Sequence, residues 1–294
     1  MLQDLAAYTV VGLTLGGTFA LAALGIVVVY RITGVLNFAN GAMGMFSTFV
    51  AWHFVYRLHQ NVWLAVAAAL LFSLLMGLVL ELGVFHWLRN RDALTKAVVT
   101  IGILLALQAG ASLIWGNNAY HEAITFPRTQ QNAIVLFHIP VSWTQVMIVA
   151  AAIGIAFGLG AFLRLTRLGI AMRALSEDPT TASLWGVPVA VVGSLSWMIG
   201  SLVAAIAGIL ITPFINFDTV SLTVLVIDAM AAALIGGLVS LPLTVAGGFL
   251  LGLLETYPKI WLPQSLGFPK LVALVVILAV LLVRAPKALA TRRA

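Results

Sequence analysis

The sequence predicts an all-α protein, a polytopic bundle of transmembrane helices. Of its 294 residues, 62% are hydrophobic and only 8% are charged, whereas a soluble domain carries about 25% charged residues. Apolar runs long enough to span a bilayer, which takes about 20 residues in a helix, recur along the chain. We therefore expect eight or nine membrane segments with broken or re-entrant helices, all within one transmembrane domain over residues 1–294.

The individual spans follow from the positions of these runs. The region 222–255 suits either two short spans or one broken, re-entrant hairpin, because Gly236, Gly237 and Pro242 interrupt it. Glycine and proline both weaken the interior of a helix. The other candidate spans are 7–30, 36–55, 62–85, 97–115, 145–163, 191–213 and 271–283.

The stretch 164–190 predicts a folded, charged hairpin between two spans. Asp178 followed by Pro179 is typical of a helix start, since the carboxylate caps free amides and proline fits the first helical position. Gly186 and then Pro188 indicate the end of that helix. The pattern predicts a two-turn helix over 179–185, preceded by a second short helical stretch that contains Arg173.

The distribution of Lys and Arg predicts the orientation, because cytoplasmic loops hold the excess of these residues. If the hairpin is cytoplasmic, the C-terminus is also cytoplasmic, the N-terminus is outside, and loop 116–142 is an external rim where a partner could dock. The cations then inside are Arg31, Arg89, Arg91, Lys96, Arg164, Arg167, Arg173, Arg284, Lys287, Arg292 and Arg293. Those outside are Arg57, Arg128, Lys259 and Lys270.

Two features concern how the helices relate to one another. Residues 17–27 resemble residues 200–211, and each stretch leads into an Asn-Phe pair, at Asn37 and at Asn216. This predicts an inverted repeat, against the alternative that small residues simply recur in membrane helices. Glycines four residues apart also predict close helix contacts. These glycine pairs are Gly12 with Gly16, Gly154 with Gly158, and Gly248 with Gly252.

Polar residues inside apolar runs are the candidate path residues. Asn37 and Asn40 lie one helical turn apart with Gly41 beside them, which indicates a broken helix that lines a polar path. The alternative is that Asn37 merely caps the second span. Asp228 is deep in its run and favours a functional site. For Glu81 and Glu255 we expect side chains that extend to the lipid headgroups.

Enzyme and nucleic-acid classes find no support in the sequence. The five histidines lack metal-ligand spacing and cysteine is absent, so we expect no metal site. There is no P-loop and no nucleophile elbow, so we expect no catalytic residues and no cofactor bound by this chain. The cations flank apolar runs instead of forming a patch, which argues against nucleic acid as a partner.

Three stretches resemble the shorter, LivH-type permease subunit of branched-chain amino acid ABC importers. Arg173, Ala174, Asp178, Ala182 and Gly186 match the spacing of that family's cytoplasmic loop, which docks on the ATPase subunit. The stretches are GGTFALAALGIVVVYRITGVLNFANGAMGMF, RALSEDPTTASLWGVPV and AAALIGGLVSLPLTVAGGFLLGLLE. The resemblance implies a multi-pass bacterial inner-membrane protein that works with a homologous LivM-type permease, two ABC ATPases that hold ATP and Mg²⁺, and an extracytoplasmic solute-binding protein.

The same resemblance gives a mechanism and leaves the cargo open. ATP-driven closure of the ATPases would move the hairpin as a rigid lever. Arg173 with Glu177 or Asp178 would form the ion pairs that hold this lever or meet the ATPase. Such permeases often carry NFAHGE where this chain has NFANGA, and a lysine where Asp228 stands. The resemblance implies a branched-chain amino acid as cargo, and these departures leave open a related small polar solute, such as an amide, a urea-like or a cationic solute. The alternative function is a stand-alone secondary transporter or channel with Asp228 as the ion or proton site.

Overall fold

A computed structural model of the chain describes residues 2–116, 122–124, 126, 134–136, 139–215, 217–260, 271, 273–280 and 282. Short π-helical turns, His53–Arg57 and Glu81–Phe85, extend α2 and α3, and 3-10 turns, Thr212–Phe214 and Tyr257–Ile260, follow α8 and α10. Residues 271, 273–280 and 282 are helical as well. The helices are α1 Leu2–Thr33, α2 Asn40–Trp52, α3 Val62–Leu80, α4 Ala93–Trp115, α5 Trp143–Leu165, α6 Arg167–Glu177, α7 Pro179–Leu184, α8 Val189–Ile211, α9 Thr219–Ile235 and α10 Leu241–Thr256.

The all-α, polytopic bundle is confirmed. In the described part of the chain, five helical segments are long and apolar enough to cross a membrane: Leu5–Thr33, Val62–Phe85, Ala93–Trp115, Trp143–Leu165 and Val189–Phe214. Three shorter helices, α2, α9 and α10, have 13, 17 and 16 residues. All three pack against α1, so they belong to the same bundle.

A small β-ribbon in loop 116–142 was not predicted. Strand β1, Ile134–Leu136, pairs antiparallel with β2, Ile139–Val141. Elsewhere in the loop, Tyr56 donates a hydrogen bond of 2.7 Å to the carbonyl oxygen of Ala123. This bond fixes residue 123 to the turn that extends α2, and strand β2 lies beside α1.

Helices α1 and α8 form the centre of the bundle. In the most apolar stretch of each helix, 78% of the residues of α1 and 72% of those of α8 are buried. The corresponding shares for α3, α4 and α5 are 22%, 11% and 17%. Small residues permit this arrangement: a Cβ atom on Gly25 would lie 2.8 Å from the carbonyl oxygen of Gly200. Because the two backbones approach closely, larger side chains are excluded at this crossing. Helices α3, α4 and α5 make up the outer wall.

The predicted glycine contacts are right for two pairs and wrong for the third. Gly12 and Gly16 of α1 face Gly252 and Gly248 of α10, and a Cβ atom at any of the four would crowd the opposite backbone. By contrast, Cβ atoms on Gly154 and Gly158 of α5 would meet no described atom within 4 Å. These two glycines lie on an outward face of the bundle, where the spacing in sequence says nothing about a partner helix.

The chain re-enters the bundle between α1 and α2. Helix α1 ends at Thr33, Gly34 adopts a positive φ of 69°, and residues 34–39 are not helical. Asn40, the first residue of α2, donates a 3.1 Å hydrogen bond to the carbonyl oxygen of Ala22. Ala22 lies roughly 16 Å before the end of α1, at about 1.5 Å per residue. Helix α2 therefore begins inside the bundle.

Candidate functional site

The hairpin over residues 164–190 is built from two capped helices. Thr166 caps α6 by accepting a hydrogen bond from the amide of Gly169. Asp178 caps α7: its Oδ1 atom accepts from the amides of Thr180 at 2.9 Å and Thr181 at 3.1 Å. The predicted helix start at Asp178 and Pro179 is confirmed.

The end of α7 is equally defined. Gly186 has a φ of +82°, a conformation that side chains other than glycine rarely adopt. Its amide donates to the carbonyl oxygen of Ser183, and the amide of Val187 donates to that of Ala182, at 3.0 and 3.1 Å. This pair of bonds is a Schellman motif. With a cap at each end, α7 is a rigid two-turn element that projects from the bundle.

Hydrogen bonding at the first cap also changes the acidity of the capping residue. The Thr181 hydroxyl, followed by the amides of Thr181 and Thr180, holds the pKa of Asp178 below its ordinary value of 3.8. The carboxylate is therefore ionised throughout the neutral range, as an acceptor of three hydrogen bonds should be.

The prediction that an ion pair holds the hairpin is wrong, whereas the alternative, that Arg173, Glu177 and Asp178 meet the ATPase, stays a prediction. No ion pair joins Arg173 to Glu177 or Asp178, although all three residues are described. Asp178 is engaged by its cap, and Glu177 is exposed. The Arg173 Nε atom is buried without a hydrogen-bond partner among the described residues. Capping, and not charge pairing, gives the hairpin its rigidity.

The surface of the hairpin carries both polar and apolar side chains, and two large apolar ones follow each other at the end of α7. Leu184 and Trp185 are 83% and 85% exposed. Between them and the bundle, Ala182 is buried and Ala174 is partly buried. Exposed aromatic and aliphatic groups beside a rigid helix are typical of a surface that another protein covers.

A cavity of about 770 Å³ lies between the hairpin and the bundle. It lies where the end of α1, the α3–α4 connection, the start of α8 and the α9–α10 turn converge; we call this the hairpin end of the bundle. Residues that line the cavity include Arg31, Lys96, Glu177, Thr180, Ser183 and Val239.

An ion pair that the sequence did not predict forms one wall of this cavity. Glu81 Oε1 accepts a hydrogen bond from Arg89 Nη2 at 3.1 Å, and Lys96 Nζ donates to the backbone oxygen of Arg89 at 2.8 Å. Glu81 is only 2% exposed, so the expected extension of this side chain to the headgroups is wrong. Burial is sustained because the arginine supplies the opposite charge.

The asparagine pair lies at the re-entry point, and both residues are completely buried. The alternative in which Asn37 caps α2 is wrong, since Ala39 is the capping residue and no side-chain cap is formed. Gly41 lies against the carbonyl oxygen of Thr223 in α9. The Asn37 and Asn40 Oδ1 atoms have no hydrogen-bond partner among the described residues. The cluster thus places two buried amide acceptors where α1, α2 and α9 meet.

Asp228 lines a second cavity, of about 780 Å³, at the opposite end of the bundle. The sequence did not group it with Glu255 and Lys259, yet all three line this cavity. Asp228 is 0% and Glu255 3% exposed, so the expected headgroup position of Glu255 is also wrong. Phe19 and Phe214 contribute an apolar wall. Both signs of charge and an apolar surface are therefore present in one space.

The region 222–255 contains two helices and a tight turn. Gly236 is the C-cap of α9, and Gly237 and Leu238 both have positive φ angles, of 70° and 60°. Pro242 lies in the first turn of α10, whose N-cap Ser240 accepts a hydrogen bond from the amide of Leu243. Asn216 and the C-terminal cations, by contrast, lie outside the described residues.

Comparison with known proteins decides the family. The sequence profile of a family described as "Branched-chain amino acid transport system / permease component" matches residues 8–283. The chain belongs to this family. The permease is thus a transport component and a multi-pass protein of the inner membrane.

Individual relatives agree with this assignment. The permease is 31% identical to the high-affinity branched-chain amino acid transport system permease protein LivH of Escherichia coli, over 92% of this chain and 91% of the relative. It is 30% identical to BraD of Pseudomonas aeruginosa, a permease protein of the same kind of system, over 84% and 83%. It is also 24% identical to the xylose/arabinose import permease protein XylH of Sulfolobus acidocaldarius, over 74% and 60%. No solved structure matches the permease.

Proposed function

We propose that this chain is the transmembrane permease subunit of an ATP-driven importer, and that it forms part of the translocation path. Its cargo is a branched-chain amino acid or a related small polar solute. The observation that carries this proposal is the doubly capped hairpin at one end of the bundle, with Leu184 and Trp185 exposed beside its capped helix. Leu184 and Trp185 offer a partner protein an apolar surface to cover, fixed in place by the caps of α7.

The partners follow from this assignment. ATP and Mg²⁺ are held by two ABC ATPase subunits, which contact the hairpin through Arg173, Ala174, Glu177, Asp178, Ala182 and Gly186. A homologous LivM-type permease completes the path, and a solute-binding protein docks at loop 116–142. Residues 1–294 form a single permease domain within the lipid bilayer, and nucleic acid plays no part.

The proposed topology has the hairpin end in the cytoplasm, the C-terminus inside and the N-terminus outside. Support comes from the described cations, because Arg31, Arg89 and Lys96 line the cavity at the hairpin end, whereas Lys259 lines the one at the opposite end. We infer eight or nine membrane segments. An inverted repeat is supported by α1–α2 and α8–α9, in each of which a long central helix is followed by a break and a shorter helix.

The path itself is proposed to run past Asn37, Asn40 and Gly41 toward Asp228, with the turn at Gly236, Gly237 and Pro242 as the helix break. Support comes from the contact of α2 with α9, which brings the asparagine cluster next to the helix that carries Asp228. Non-helical backbone at membrane depth is tolerated only where protein buries it or where it lines a polar space.

A second candidate function is a stand-alone secondary transporter or channel with Asp228 as the ion or proton site. The observation that favours it is the complete burial of this carboxylate in a cavity shared with Glu255. Intramembrane carboxylates commonly serve ion and proton pathways.

One experiment separates the two functions. The chain is purified from its native membrane together with any bound subunits and reconstituted in proteoliposomes with the solute-binding protein. For the importer we expect co-purified ATPases and leucine uptake that requires ATP and survives a protonophore. Uptake that follows an imposed proton gradient and ignores ATP, by a preparation without ATPases, would establish the second function instead.

A further inference from the structure

The Glu81–Arg89 ion pair lies between α3, in the outer wall of the bundle, and the start of α8, which follows the hairpin. Helix α3 ends in a π-helical turn over Glu81–Phe85, a feature frequent at functional sites because it re-aims side chains. The Glu81 side chain is 3% exposed and that of Arg89 34%. A carboxylate with this burial needs a fixed partner, so the pair forms a defined contact and not a mobile surface bridge.

The pair rests directly on α8. A Cβ atom on Gly193 would lie 2.8 Å from Glu81 Oε1 and 3.8 Å from Arg89 Nη2. A carboxylate can therefore contact this helix only because residue 193 has no side chain. Helix α8 begins at Val189, just after the Gly186 turn that ends α7. Gly193 therefore lies in the first turns of the helix that is connected directly to the hairpin.

Open space separates the pair from the tip of the hairpin. The cavity of about 770 Å³ is lined on one side by Glu81, Arg89 and Gly193, and on the other by Thr180 and Ser183 of α7. The hairpin therefore has room to move toward the bundle. A displacement of the hairpin would move the first turns of α8. The ion pair contacts α8 there, at Gly193, and so would transmit the movement to α3 and α4.

We propose that Glu81 and Arg89 are positioning residues for energy coupling: they hold the first turns of α8 against the α3–α4 wall, so that movement of the hairpin is transmitted to the bundle. The ATPase part of this inference rests on the proposed function. An ion pair suits the task because it specifies one geometry, whereas apolar residues of similar size would pack equally well in several.

The first test measures uptake per ATP hydrolysed in the reconstituted complex. Gly193→Ala pushes the carboxylate off α8 without removing a charge, and Glu81→Gln removes the charge without changing the shape. We expect each variant to keep ATP hydrolysis and to lower uptake per ATP about tenfold, the scale of one lost buried contact. Gly83→Ala is the matched control, since a Cβ atom there meets no described atom within 4 Å. An unchanged ratio in both variants overturns the proposal.

A double variant shows whether the two residues act together. If they form one positioning unit, Glu81→Gln with Arg89→Gln lowers uptake per ATP no further than either single change, because each single change already removes the ion pair. Losses that multiply would show that the residues act separately, and the pair would not be the coupling element.

The second test uses this chain alone in lipid nanodiscs and does not depend on an ATPase. Because the sequence contains no cysteine, spin labels can be placed at the exposed Leu94 of α4 and Leu184 of α7, changed to cysteine. We expect a narrow distance distribution that broadens in Glu81→Gln and Gly193→Ala. A distribution that stays narrow in both overturns the inference. Broadening without any ATP-driven uptake by the unmodified complex would overturn the importer function and leave the positioning role standing.

Discussion

A Cβ atom on Gly16 would lie 2.8 Å from the carbonyl oxygen of Gly248, so α1 and α10 meet backbone to backbone. The contact repeats one helical turn away, where Gly12 and Gly252 face each other. Four glycines at this spacing bring the two helices closer than any other residue allows. The central helix α1 is thereby fixed to the helix that carries Glu255.

This crossing predicts a stability defect at one glycine and none at another. Gly16→Val should destabilise the protein by roughly 1–3 kcal/mol, since the added side chain overpacks a closed contact. Thermal denaturation in detergent measures the change. Gly158→Val is the matched control, because that position meets no described atom. Equal losses for both variants would mean that the crossing does not set the effect.

The cap of α7 predicts a defect in function without loss of the protein. Asp178→Lys removes the acceptor of the Thr180 and Thr181 amides and should lower ATP-driven uptake roughly tenfold, with normal amounts in the membrane. Asp178→Ser keeps a capping oxygen and should retain most uptake. Normal uptake by the lysine variant would remove α7 from the coupling mechanism.

The pH dependence of the hairpin follows from the same residue. The Thr181 hydroxyl and the neighbouring amides lower the pKa of Asp178 below 3.8 in the folded protein. The cap therefore stabilises α7 fully at pH values above 3.8. This stabilisation is lost as the pH falls through the lower pKa of the folded state. Hydrogen exchange at Thr180 and Thr181, corrected for intrinsic rates, should stay constant from neutral pH to about 3.8 and accelerate below it. Asp178→Ser should abolish that dependence. Acceleration already near neutral pH would point to another titrating group.

The turn at Gly186 predicts a graded series. Gly186→Ala should cost roughly 1–2 kcal/mol of local stability, since its φ of +82° disfavours a Cβ atom although no described atom blocks one. Gly186→Pro should be far worse, because proline cannot adopt this φ and lacks the amide that donates to Ser183. Limited proteolysis of the hairpin measures both. If the proline variant resists the protease as well as the unmodified chain, the Schellman turn does not hold α7.

The buried asparagines predict opposite phenotypes. Asn40→Ala loses a hydrogen bond to Ala22 and should destabilise the protein by roughly 1 kcal/mol. Among the described residues the Asn37 side chain donates one hydrogen bond, to the Met43 sulfur at 3.5 Å. Because sulfur is a weak acceptor, Asn37→Ala should cost less stability than Asn40→Ala and lower uptake more. Melting curves and uptake assays on both variants check this pattern. A purely structural defect for Asn37→Ala would remove that residue from the path.

Local signals in the sequence predicted much of the fold and part of the site. A long apolar run, a helix cap and a glycine turn are each set by residues that are adjacent in the sequence. For this reason the predicted long spans and the helix around 179–185 match the structure. The pairing of Glu81 with Arg89 could not be predicted, because almost every helix face is apolar and no periodicity shows which side is inward. The same lack of periodicity hid the grouping of Asp228 with Lys259, residues that only the tertiary fold brings to one cavity.

The deep start of α2 bears on how the protein is assembled. Helix α2, with the π-helical turn His53–Arg57 that continues it, starts inside the bundle and is buried on several sides by other helices. Its neighbours α8 and α9 are synthesised more than a hundred residues later, to judge from their positions in the chain. The final packing of α2 therefore requires both halves of the chain, and we expect it to form only after the carboxyl-terminal half has been inserted.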